Sequence, residues 1–204
     1  MTIAAILLAA GASSRMGSPK PLIPWGDQSL LAWEIDQLMA SCVDEIVVVL
    51  GSHAEDVRRS LGDGARYCVF NQRWQHGRST SLVKGAGALL REGRLRPDAT
   101  VIQNVDQPTR ADIIDRLVDE LIRARVDAVQ PSYEGHGGHP VVLAGHVLPL
   151  LARAEERTLG LRGVLKQHPP LRIEMDDEPV VALDLDTPDR LPHARSLLGI
   201  PEGP

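Results

Sequence analysis

Aromatic side chains make up only 3% of this 204-residue chain. Three Trp, two Tyr and one Phe do not build stacking platforms for single-stranded nucleic acid. Excess positive charge is missing too. Lys and Arg number 22 against 27 Asp and Glu, a net charge of −5, which argues against a general polyanion-binding surface and so against nucleic acid as a partner. Any positive field is then local, on the scale of a nucleotide pocket. Cysteine is scarce: Cys42 and Cys68 each sit beside an apolar run, form no metal-ligand pattern, and read as buried thiols in a reducing compartment. No apolar run approaches the roughly 18 residues of a membrane span. The apolar start, Ile3 to Ala10, has no basic n-region and runs into a Gly-containing loop, which rules against a signal peptide. A cytoplasmic protein without membrane contact is the expectation. A Gly-x-Ser-x-Gly elbow is also absent, which counts against an α/β-hydrolase.

What is present is an alternation of strands and helices. Ile3–Leu8 is a continuous apolar run, as in a central strand covered on both faces. Ser29 can cap a helix to about Ala40, Ile46–Leu50 is the clearest strand, a short helix spans Ala54–Leu61, and Tyr67–Phe70 is a third strand. Ser79, Thr80 or Ser81 can start a helix to about Arg91; Thr100–Asn104 is a fourth strand. Thr109 with Asp112 has capping-box spacing ahead of a helix to about Arg125. Further on, Ala128–Gln130 and Pro140–Leu143 read as strands around a Gly-rich loop, with helical segments near 147–155 and 159–166. Leu171–Met175 reads as a strand, Val180–Leu183 as a final strand ending at Asp184, and Thr187-Pro188 as the start of the last helix. The pattern predicts one domain over residues 1–204, an α/β sandwich built on a mostly parallel sheet. In such sheets ligands bind at the C-terminal edge of the strands, which would gather the loop after Leu8, Asp106 and Asp184.

That first loop, Leu8-Ala9-Ala10-Gly11-Ala12-Ser13-Ser14-Arg15-Met16-Gly17-Ser18-Pro19-Lys20, has little side-chain bulk and so can bring backbone N–H groups to an anion. Arg15 and Lys20 add positive charge, and Lys20 is held between two prolines. The loop is neither a Walker P-loop, because Ser18 and not Lys follows Gly17, nor a G-x-G-x-x-G fingerprint, because position 13 is Ser. Lys20 reads either as a solvated lysine or as a cation that neutralises a transferring phosphoryl group. Asp106, at the end of a strand, reads either as a turn or capping residue or as a hard oxygen ligand for Mg²⁺. Asp184 and Asp186 repeat the arrangement. Because Asp186 can serve the N-terminus of the helix behind it, Asp184 is preferred as the second metal ligand. His136 and His139 flank a Gly pair with no third ligand nearby, so a loop that admits substrate is favoured over zinc.

The loop Leu8–Gly17 with Pro19-Lys20 resembles the signature of the MobA-like nucleotidyltransferases, and four further motifs follow in order. The segment Asn71–Leu82, with Trp74, Gly77 and Ser81, resembles that of the molybdopterin cytidylyltransferase branch, as do Asp106-Gln107-Pro108, Gly138-His139-Pro140 and Asp184-Leu185-Asp186-Thr187-Pro188. In the segment Arg157–Arg162, Gly160 and Arg162 fit the branch, whereas Arg157-Thr158 stands where it often has Gly-Asp. The resemblance implies a three-layer α/β/α Rossmann-like nucleotidyltransferase fold and an Mg²⁺-dependent transferase joining an NMP, from CTP above all, to a phosphorylated acceptor of molybdopterin type, with release of pyrophosphate. The alternatives are a guanylyltransferase or other NTP transferase on a different phosphorylated acceptor, or a non-catalytic nucleotide-binding accessory protein for molybdoenzyme maturation. It further implies a nucleotide site of Leu8, Ala9, Ala10, Gly11, Ser13, Ser14, Arg15, Lys20, Asn71, Ser79, Ser81 and Asp106. Lys20, Arg15 and Asp106 would carry the chemistry, Asp106 and Asp184 the metal, and Gly138, His139, Pro140 and Arg162 the acceptor.

Overall fold

A computed structural model describes residues 1–93, 95–154 and 160–201. The strands are β1 (Ile3–Ala9), β2 (Pro24–Trp25), β3 (Gln28–Ser29), β4 (Glu45–Leu50), β5 (Cys68–Phe70), β6 (Ala99–Asn104), β7 (Ala128–Tyr133), β8 (His136–Gly137), β9 (Val141–Ala144) and β10 (Leu171–Glu174). The α-helices are α1 (Leu30–Ala40), α2 (Ala54–Leu61), α3 (Arg78–Leu89), α4 (Ala111–Ala124), α5 (Leu148–Leu151), α6 (Leu161–Gln167) and α7 (Leu191–Leu198). The main sheet has the order β10-β7-β9-β6-β1-β4-β5, with β8 paired to β7, while β2 and β3 form a separate small hairpin. β1 pairs in parallel with both β4 and β6; β9 runs antiparallel between β6 and β7.

Central β1 is buried on both faces, which explains its unbroken apolar run. Its alternate side chains feed two cores. Ala5, Leu7 and Ala9 join residues of α1, α2, α4 and α7, whereas Ala4 and Ile6 join residues of α3, α5 and α6. The result is a helical layer on each side of a mostly parallel sheet, the α/β/α architecture expected. Ser29 does cap α1, its Oγ accepting from Ala32 N at 3.3 Å.

Several local expectations need correction. Val180–Leu183 is not a strand: Pro179–Ala182 is a 3-10 turn, with Pro179 in its first turn setting the backbone angle. Thr109 forms no capping box. Its Oγ1 is buried without a partner, and Asp112 instead pairs with Arg110, at 2.9 Å. α3 starts at Arg78 after Gly77, one residue before Ser79, the first of the three expected starts. The Gly-rich stretch near residue 135 is largely a hairpin, since β7 runs to Tyr133 and pairs with β8. Cys42 is exposed and Cys68 half-buried. The helical readings reaching residues 155–159 lie partly outside the described residues. Among those described, no helix is long and apolar enough to cross a membrane.

Candidate active site

Parallel pairing aligns Leu8 of β1 with Asn104 of β6, so the chain leaves both strands side by side at one sheet edge. The loop from β1 forms one wall of an open cleft there. Leu8, Ala9, Ala10, Gly11, Ser13, Ser14, Arg15 and Lys20 line it, facing Asp106 and Asp186, with Arg78 and Ser81 of α3 closing one side. The loop is held in shape by its own polar contacts. Ser13 adopts a left-handed backbone, φ 55°, rare for a residue with a side chain. Its Oγ accepts from Lys20 N at 2.9 Å and its carbonyl from Met16 N at 2.9 Å.

Three carboxylates converge beside Lys20. Asp106, Asp184 and Asp186 each place an oxygen within 4.8 Å of the others'. Asp106 follows β6 in a turn closed by Gln107 N to Asn104 O, at 2.9 Å. Asp184 and Asp186 follow the 3-10 turn, and Leu185 N donates to Asp106 O at 2.7 Å, which ties the two segments together. The Lys20 ammonium lies 2.9 Å from Asp106 Oδ2 and 3.0 Å from Asp186 Oδ1. Arg15 reaches Asp186 Oδ2 at 2.9 Å. These bonds to Lys20 and Arg15 hold the Asp186 carboxyl below its ordinary range. Asp184 behaves oppositely. Burial first, and then the charges of Asp106 and Asp186, push its carboxyl up, and its Oδ1 is buried with no hydrogen-bond partner. A buried, unpartnered carboxylate oxygen next to two more carboxylates fits a hard divalent cation. The residues present therefore suit such an ion, with Asp186 as well as Asp184 beside Asp106.

The remaining candidates divide into groups. Asn71 and Ser79 are buried and line a separate groove behind α3, not the cleft. Asn71 Nδ2 donates to Thr80 Oγ1 at 2.9 Å and Ser81 Oγ at 3.0 Å, so Asn71 orients the start of α3 and through it Ser81. Gly138-His139-Pro140, with a cis bond before Pro140, sits against the segment that leads to Asp184: His139 N donates to Val181 O at 2.9 Å. A Cβ on Gly138 would collide with that same Val181 carbonyl. The His139 imidazole is held neutral near pH 7, its pKa lowered to about 4 by burial, against the pull of Asp106 and with the help of Arg78 and Arg162. Arg162 is exposed on α6. Arg157 and Thr158 lie outside the described residues. Arg78 and Asn104 also line the cleft and had no place in the sequence reading. Arg78 stands directly after Gly77 within the Asn71–Leu82 motif, a signal that could have found it.

The fold and this cleft define an α/β protein with a cationic loop and three clustered carboxylates at the strand ends. The chain belongs to the MobA-like NTP transferase family, whose domain model matches residues 5–172. It is 27% identical over 198 residues to the nicotine blue oxidoreductase of Paenarthrobacter nicotinovorans, covering 93% of this chain and 94% of that protein. It is also 27% identical over 188 residues to the molybdenum cofactor cytidylyltransferase of Escherichia coli K12, covering 90% and 91%. Among solved structures, Rv0371c of Mycobacterium tuberculosis H37Rv superposes with a TM-score of 0.77 at 26% identity over 98% of each chain. The manganese complex of that protein superposes with a TM-score of 0.71 at 25% identity, over 95% of this chain and 98% of that one.

Proposed function

We propose that this protein is an Mg²⁺-dependent nucleotidyltransferase that moves CMP from CTP onto the terminal phosphate of a molybdopterin-type acceptor, releasing pyrophosphate. The observation that carries the reading is the meeting of Lys20, Arg15 and three carboxylates beside a cleft walled by the β1 loop. In the reaction an acceptor phosphate oxygen attacks the α-phosphorus, a new P–O bond forms, and the bond to the bridging oxygen breaks as pyrophosphate leaves. The acceptor phosphate is already ionised near pH 7, so no general base is needed.

The chain's residues then have distinct tasks. The bulk-free loop 8–14 lets the nucleotide approach the backbone. Arg15 and Lys20 bind the triphosphate oxygens and offset the charge that builds on the leaving group. Asp106 and Asp184, with Asp186, would hold the cation, which supplies further charge neutralisation at the phosphates when bound. Ser81 and Arg78 border the nucleotide from α3. Gly138, His139, Pro140 and Arg162 border the acceptor, and because His139 is uncharged near pH 7, recognition of acceptor anions falls to Arg78 and Arg162.

Pyrophosphate release with each of CTP, GTP, ATP and UTP, Mg²⁺ and molybdopterin tests the reading. CTP-selective release supports it. GTP-selective release moves the base assignment, and CTP binding without release in any mixture leaves an accessory protein. The match to the nicotine blue oxidoreductase supports a second reading, an oxidoreductase acting in the same cleft. Thermal stabilisation by NADH or NADPH but by no NTP would favour it.

A further inference from the structure

The Lys20 ammonium, at the wall of the cleft, is bonded to two of the three clustered carboxylates. It bonds Asp106 Oδ2 at 2.9 Å and Asp186 Oδ1 at 3.0 Å, and only 8% of the residue is exposed. Both carboxylates belong to the set that can hold a divalent cation. Arg15 adds a second positive charge on Asp186. Three carboxylates within 4.8 Å of one another repel, and these two side chains relieve that repulsion from within the chain. An incoming divalent cation must therefore compete with an ammonium already bonded to two of the three carboxylates. The triphosphate supplies the compensation, because Lys20 and Arg15 both line the nucleotide cleft. Lys20 has a flexible four-carbon stem, so its charge can turn to phosphate oxygens while its backbone N–H stays on Ser13 Oγ.

We propose that Lys20 is an internal stand-in for the metal: it holds the cation site closed in the nucleotide-free protein, so that divalent cation and nucleotide bind together and neither binds tightly alone. The proposal rests on the nucleotidyltransferase reading and adds a coupling between two ligands. By linkage the coupling is reciprocal, so nucleotide raises metal affinity by the factor by which metal raises nucleotide affinity.

Mn²⁺ titration followed by the EPR signal of the free ion tests it on the intact protein, for wild type and Lys20→Met, with and without a non-hydrolysable CTP analogue. Wild type should bind Mn²⁺ about tenfold or more tightly with the nucleotide than without, within the usual range of such couplings. Lys20→Met should bind Mn²⁺ more tightly than wild type when no nucleotide is present, and should lose most of the enhancement. Removing a cation for general structural reasons would weaken the site, so the direction of the change is diagnostic. Equal or weaker Mn²⁺ binding by a folded Lys20→Met protein overturns the proposal. Should that variant not fold, wild type decides: nucleotide-independent, tight Mn²⁺ binding overturns it. Failure of the CTP analogue to bind at all would instead sink the transferase reading, while the nucleotide-free comparison of the two proteins still judges Lys20.

Discussion

The titration of His139, which packs against the segment leading to Asp184, couples pH to the stability of the fold. The imidazole has an ordinary pKa of 6.5 and is lowered to about 4 in the folded chain, chiefly by burial, with Arg78 and Arg162 adding to the effect and Asp106 opposing it. Its Nδ1 is buried without a partner, so protonation would place a second N–H where nothing accepts it. A folded pKa below the unfolded one means that the unfolded chain binds more protons between about pH 4 and 6.5. Stability is therefore fully present above pH 6.5 and is lost as pH falls toward about 4. A shift of this size is equivalent to about 3 kcal/mol when the loss is complete, and about 2 kcal/mol of it is gone at about pH 5.

Replacing His139 by Asn keeps a polar group near the Nδ1 position and removes the titration. Thermal unfolding of both proteins from about pH 8 to 5 isolates the residue, because every other titrating group is common to both. The wild-type melting temperature should fall by roughly 4–8 °C more than that of His139→Asn over this interval, at about 2–4 °C per kcal/mol for a chain of this length. Parallel curves would refute the reasoning and mean that the folded imidazole protonates near its ordinary pKa. His139 would then be partly charged near pH 7, and anion recognition would no longer rest on Arg78 and Arg162 alone.

Three other substitutions test the packing and the site. Gly138→Ala should drive a methyl into the Val181 carbonyl and displace the turn that leads to Asp184. A stability loss of about 1–3 kcal/mol by urea unfolding, together with weaker Mn²⁺ binding in the presence of nucleotide, is expected, and an unchanged unfolding midpoint would show that the turn yields freely. Glu34 is buried in α1, and burial raises its carboxyl pKa well above the ordinary 4.5, with a Gln103 hydrogen bond opposing. Its contribution to stability is present below about pH 4.5 and declines as pH rises toward the folded pKa. Glu34→Gln should thus gain melting temperature relative to wild type as pH increases from about 5 to 8; a constant difference would argue that the buried group is not the source. Asp106→Ala should abolish metal-dependent pyrophosphate release while the protein stays folded, and an unaltered metal dependence of turnover would place the ligand elsewhere.

The fold was legible wherever a segment's burial had a simple period. Ile3–Leu8 reads as a strand because both its faces are covered, and Ser29 reads as a cap because its partner, Ala32, is three residues away. Val180–Leu183 misled for a physical reason. Four apolar residues next to a carboxylate look like a buried strand, yet burial alone does not distinguish a strand from a tight turn. Here the Val181 carbonyl bonds His139 N instead of a neighbouring strand. The capping box at Thr109 failed because Arg110 draws Asp112 away and also bonds Glu178, 68 residues on.

The candidate site was legible as motifs but not as geometry. Lys20 and Asp186 are 166 residues apart, and no local pattern shows that they meet. Sequence logic set Asp186 aside because it could serve the following helix. The structure gives it to Lys20 and Arg15 and leaves Asp184 Oδ1 buried and unpaired. That division gives the two aspartates different tasks. A carboxylate that already carries two cationic partners can release them to phosphates without leaving an isolated charge, provided a metal takes their place. A buried carboxylate oxygen with no partner gains most from the metal itself. Asp184 should therefore dominate metal affinity, and Asp186 should govern how strongly that affinity depends on nucleotide.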